Sequence, residues 1–180
     1  MSNKIFENNG LFKGNTRSLL YATILLSISL ILSYIENLLP FSIGGYGIRV
    51  GIANIVTIVA LKTLNIKVSF IINVLRIGII GILFASIIRF ILSLSGFLLS
   101  FAVMVIMLKY LNFSIITTSI FGGVTHNIAQ IISLSFLLNN IKILILIPFY
   151  MIIGIIAGAV IGVLSDMICK KITLLYLNKE

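Results

Sequence analysis

The sequence predicts an all-α, polytopic membrane protein: a bundle of six transmembrane helices with both termini in the cytoplasm. Three observations carry this. First, 60% of the 180 residues are hydrophobic and only 9% are charged, whereas a soluble domain averages about 25% charged. A chain this short exposes too large a share of its surface to hide that much apolar area from water. Second, the apolar residues fall into long continuous runs, most of them near the roughly 20 residues a bilayer span needs. Third, the basic residues gather in alternate loops, which is how a membrane protein encodes its orientation. Disorder is excluded by the same composition, since disordered chains are polar and charged.

The spans follow in order. Residues 18–39 form the first, which carries Glu36 near its end and stops at Pro40. Lys4, Lys13 and Arg17 precede it, as in a secretory signal. The run is too long for a signal's apolar core and has no small-x-small cleavage site, so it reads as a retained first helix. Residues 50–61, extending towards Leu64, make a short second span. Residues 68–85 make the third, interrupted by Arg76, and residues 87–108 the fourth, with Arg89 at its start. Residues 113–138 and 143–168 complete the set, the last with Asp166 near its end. The runs are continuously apolar, whereas barrel strands alternate with a polar lumen face. The domain division expected is a cytoplasmic N-terminal segment over 1–17, the transmembrane domain over 18–170 and a cytoplasmic tail over 171–180.

With the N-terminus inside, nine basic residues are cytoplasmic: Lys4, Lys13, Arg17, Lys62, Lys67, Lys109, Lys170, Lys171 and Lys179. Three are outside: Arg49, Arg89 and Lys142. That split satisfies the positive-inside rule for a multi-pass protein of the cell membrane. The net charge of +9 is therefore an orientation device rather than a nucleic-acid surface. Tryptophan is absent, so Tyr, Lys and Arg anchor the interfaces. Cys169 is the single cysteine, which rules out an intrachain disulfide and leaves it as a small apolar filler.

Orientation gives every intramembrane polar group a depth. Glu36, Arg49, Asn54 and Arg89 fall at the outer ends of their spans. At about 1.5 Å per residue, His126, Asn127 and Gln130 lie roughly 20–25 Å up the fifth span, in its outer half. Arg76 lies deeper, in the third. An ionisable group inside a bilayer costs at least about 2.5–3.5 kcal/mol unless it finds a partner or water. Arg76 is thus either a cationic ligand contact at the floor of an outward cavity or half of an internal packing contact. His126, Asn127 and Gln130 share one side of a helix by their i,i+3 and i,i+4 spacing. They read as ligand contacts or as hydrogen bonds between helices.

Two glycine patterns complete the inventory. Gly44, Gly45, Tyr46 and Gly47 form a loop that reads as a mobile cap over the cavity or as a plain turn. Gly154, Gly158 and Gly162 recur every four residues, a stripe suited to close helix packing or to docking another membrane subunit. Ser29 and Ser33 make a weaker stripe of the same kind on the first span.

Catalytic chemistry is missing. The acids are Glu7, Glu36, Asp166 and Glu180. That set holds none of the aspartate-rich clusters a prenyl synthase needs for magnesium diphosphate. No GxxxxGK[ST], HExxH or GxSxG occurs. A lone His126 makes no metal site, and no cofactor is expected.

The polar positions spell a familiar series. Leu32-Ser33-Tyr34-Ile35-Glu36 leads to Pro40. Then come Gly47-Ile48-Arg49-Val50-Gly51-Ile52-Ala53-Asn54-Ile55, Leu75-Arg76, and residues 122–130 with His126-Asn127. Over roughly residues 18–170 this resembles the Gx transporter family, also described as heptaprenyl diphosphate synthase component I. Within 92–100 only Ser93 and Gly96 keep the family's pattern. That family is similar to the S components of energy-coupling-factor transporters, six-helix proteins with an outward pocket capped by the first loop. The resemblance implies a substrate-capture subunit for a vitamin- or precursor-like solute, borrowing a membrane coupling protein and ABC-type ATPases. Arg76, Arg49 and Arg89 would favour an anionic solute and His126, Asn127 and Gln130 would orient it, with Glu36 and Asn54 completing the candidate binding set. The family's enzyme description implies the alternative, an accessory role beside a soluble prenyl diphosphate synthase subunit.

Overall fold

The structure, a computed structural model, describes residues 15–38, 51–84 and 87–177. Every regular element among them is helical. Helix α1 spans Asn15–Leu38, α2 Asn54–Thr63, α3 Ile66–Phe84 and α4 Ile87–Val105, the last continuing through a π turn at Ile106–Tyr110. Helix α5 spans Ile115–Leu137, and a 3-10 segment at Ile141–Leu146 leads into α6, Ile147–Leu177. Five of the six helices are long and apolar enough to cross a membrane.

The exception is α2. The second span expected from sequence is a helix of only 10 residues, about 15 Å long against a hydrocarbon core of about 30 Å. Both of its ends are fixed by local geometry. Gly51 has φ +83° and its carbonyl accepts from Asn54 N at 2.9 Å, so the chain turns sharply into the helix. At the other end Leu64 is extended, and the Asn65 side chain accepts from Val68 N at 2.8 Å to start α3. Ala53, Val56, Ile58, Val59, Ala60 and Leu61 are all buried. A helix apolar all round is one enclosed by protein, so α2 is wedged among its neighbours.

The other boundaries shift less. Helix α3 begins two residues before the expected third span and α4 begins at Ile87, as expected, while residues 85–86 lie outside the described residues. Helix α6 starts four residues later than the sequence suggested, because residues 141–146 wind as 3-10 with the Asn140 side chain accepting from Lys142 N. Pro148 then stands in the first turn, where its missing N–H breaks no intrahelical bond. The helix runs on past 168 through Lys170 and Lys171 to Leu177. Ser114 caps α5, accepting from Thr117 N at 3.1 Å.

The bundle is apolar outside, and its strongly polar groups lie inside among an apolar core. Ile82, Phe136 and Ile145 are more than 80% exposed, while Asn54, Asn73, Arg76, His126, Asn127 and Gln130 are buried. Such an arrangement suits a lipid solvent, in which polar groups face the bundle interior. The chain is thus a multi-pass membrane protein.

Two kinds of contact hold the helices. Between α5 and α6 the backbones touch. A Cβ on Gly158 would sit 2.7 Å from Ile120 Cα, one on Gly154 2.9 Å from the Gly123 carbonyl oxygen, and one on Gly162 2.9 Å from Ile116 Cα. The glycine stripe of α6 therefore faces α5, within the bundle. Ser29 and Ser33 also face inward, the Ser29 hydroxyl donating to Leu26 O at 2.7 Å. Helices α2 and α3 are joined instead by side chains. Thr57 Oγ1 donates to Asn73 Oδ1 at 2.7 Å, and Asn73 Nδ2 donates to Ser69 O at 2.9 Å. A cluster of Phe70, Phe97 and Phe101, with ring centroids 5.2–5.5 Å apart, packs α4 onto α3.

Candidate functional site

Four of the polar residues singled out in the sequence converge on one cavity. Glu36 comes from the end of α1, Asn54 from the start of α2, Arg76 from the middle of α3 and His126 from the middle of α5. Ser33, Gly51, Phe90 and Ser93 complete much of the wall. The cavity measures about 30 Å³, room for roughly two water molecules.

Each polar group is held by its element. The Glu36 carboxylate accepts from Gly51 N at 2.6 Å and from Ile52 N at 3.3 Å. An anion is thereby fixed at the N-terminal end of α2, where the helix dipole favours negative charge. Gly51 is needed on two counts: its positive φ, and a Cβ there would lie 2.8 Å from Asn54 Nδ2. Arg76 is only 7% exposed although its helix faces lipid on its other side.

His126 is built into a hydrogen-bonded row. Gln130 Nε2 lies 2.7 Å from His126 Nε2, and Ser100 Oγ lies 3.4 Å from His126 Nδ1. With the Gln130 amide donating, Nε2 accepts, and Nδ1 faces the Ser100 hydroxyl. Ser100 in turn donates to Phe97 O at 3.1 Å. The ring lies flat against α4 at Gly96, where a Cβ would come within 2.8 Å of it.

The remaining sequence candidates are placed differently. Gln130 stands behind His126 rather than on the cavity wall. Asn127 points away, its Nδ2 donating to Tyr150 O at 2.9 Å and tying α5 to the start of α6. Arg89 is exposed at the start of α4 and does not line the cavity. Arg49 and the loop glycines Gly44, Gly45 and Gly47, with Tyr46, lie outside the described residues. Sequence reasoning gave no binding role to Ser93, Gly96 and Ser100, which present a small, polar strip of α4 to His126 and the cavity. Their i, i+3, i+7 spacing within an apolar run is the signal that would have found them.

Comparison with protein-family models matches residues 25–168 to heptaprenyl diphosphate synthase component I. The chain belongs to this family. No curated protein and no solved structure matches it. The component I match takes in α1 from Leu25 through most of α6. All the cavity residues, and the His126–Gln130–Ser100 row, fall within it. No cluster of metal-ligating side chains occurs among the described residues.

Proposed function

We propose that the protein is the membrane-embedded, non-catalytic component of a polyprenyl diphosphate-forming system, acting beside a soluble synthase subunit. The observation that carries this reading is the component I family match across residues 25–168. The composition agrees with it: a chain with one aspartate cannot itself hold magnesium diphosphate, so the chemistry belongs to a partner. The lysine-rich ends of α2, α4 and α6 face the cytoplasm under the positive-inside rule, the side on which a soluble subunit works. Affinity purification from cell membranes tests this. A prenyl diphosphate synthase should co-purify, and adding the chain in vesicles should raise membrane-associated product. Synthase activity that is complete without the chain, together with no association, would reject it.

A second reading is favoured by the convergence of Glu36, Asn54, Arg76 and His126 on one cavity inside the bundle. Ionisable groups at membrane depth are functional-site candidates by default. On this reading the chain captures a small anionic, vitamin- or precursor-like solute from outside, and a separate coupling protein and ABC-type ATPases drive its entry. Mass spectrometry of small molecules retained on native purification separates the two readings. A retained solute, with uptake falling about tenfold or more in Arg76→Ala, supports capture. An empty protein with unchanged uptake in that variant excludes it. In both readings the chain is a multi-pass protein of the cell membrane with both termini inside. A C-terminal reporter active only in the cytoplasm checks that orientation.

A further inference from the structure

At the end of the bundle opposite the polar cavity, a larger space opens between the end of α2, the turn before α5 and the second half of α6. It measures about 510 Å³, within the range of about 300–1,000 Å³ typical of ligand sites. Its walls are of two kinds. Phe113, Cys169 and Leu174 are apolar, while Lys62, Lys170 and Asp166 are charged. Lys170 Nζ lies 2.7 Å from Asp166 Oδ2. Lys109, half-buried on the π turn, lies within electrostatic range of Lys62. Lys62 and Lys170 thus line the cleft with one carboxylate, and Lys109 adds a third positive charge in the field of Lys62. Keeping Lys62 and Lys109 in each other's field is repulsive, and an anion placed between them relieves it.

We propose that this cleft binds a phosphate-headed amphiphile, with its phosphate at Lys62 and Lys170, in the field of Lys109, and its chain along Phe113 and Leu174. Lysine acts here as a movable point charge for phosphate oxygens. Basic pockets between transmembrane helices near the cytoplasmic surface are suited to such headgroups. The apolar wall selects an amphiphile over a free anion, because only a chain removes that wall from water. An isoprenoid diphosphate and an anionic phospholipid share this chemistry, and neither reading of the function above is required for it.

The test uses the full chain in nanodiscs of neutral phosphatidylcholine. Farnesyl diphosphate and phosphatidylglycerol are the probes; farnesol and inorganic diphosphate each supply half of the proposed ligand. At least one probe should bind about tenfold or more tightly than either control, and the tighter probe identifies the source. Lys62→Gln combined with Lys109→Gln should weaken that binding by about tenfold. Asp166→Asn, which removes only the competing carboxylate, should strengthen it, a change that no folding defect produces. Binding no tighter than the controls overturns the proposal. So does a folded double variant that binds like the parent. If the double variant does not fold, Asp166→Asn decides alone, and unchanged or weaker binding there overturns it.

Discussion

The two halves of the bundle are held together by different physics. Helices α5 and α6 meet backbone to backbone through Gly123, Gly154, Gly158 and Gly162. Helices α1, α2 and α3 are joined by polar side chains: Glu36 on Gly51 and Ile52, and Thr57 with Asn73 and Ser69. The first seam is dispersion over many atoms, so it is stiff and indifferent to charge. The second rests on a few directional bonds, so one altered group can release it. The polar cavity lies along the second kind of seam, with α5 contributing His126 as the fixed side. The lesson is that the polar cavity is placed where contacts are few and directional, against a side whose contacts are many and apolar.

Three substitutions break or sharpen that contrast. The largest effect is expected from Gly158→Leu. Its side chain would start 2.7 Å from backbone that cannot yield, and the expected loss is about 3 kcal/mol or more. Reversible unfolding in detergent mixtures would register this, and a seam that tolerates leucine would refute the backbone contact. Next is Glu36→Ala, which strips two backbone N–H groups of their acceptor at about 2 kcal/mol. Glu36→Gln should recover part of this, because an amide oxygen still accepts. Equal losses in the two variants would mean that the charge, not the acceptor, holds α2. The smallest is Asn73→Leu, which removes the α2–α3 bridge from Thr57. Bonds of this type inside membrane proteins average about 0.6 kcal/mol and reach about 1.7 kcal/mol. A loss well above that range would show that the polar half is as rigid as the glycine seam.

Much of the fold and part of the site were legible in the sequence, for a common reason. Against a continuous apolar background, Glu36, Asn54, Arg76 and His126 are each conspicuous, and orientation assigns them depths that bring them together. The shortness of α2 was not legible. An apolar run over 50–64 reads the same whether its surroundings are lipid or protein, and the turn at Gly51 that cuts it short depends on Glu36 from another helix. The direction of Asn127 was hidden too. It shares one side of α5 with Gln130, yet stands about 100° around the helix from His126, enough to aim it at Tyr150 instead of the cavity. Ser93, Gly96 and Ser100 were invisible to hydropathy because small residues scarcely disturb it. Their importance arises only once His126 lies against them.

Cys169 gives the lysine-rich end of the bundle its own clock. It is the chain's single thiol, it forms part of the wall of the larger cleft, and only 5% of it is accessible. A maleimide reagent must enter that cleft to reach it. The labelling rate of the unaltered protein therefore counts entries into the cleft, with no engineered probe and no competing thiol. Anything that fills the cleft or braces its walls will slow the count, whether ligand or partner.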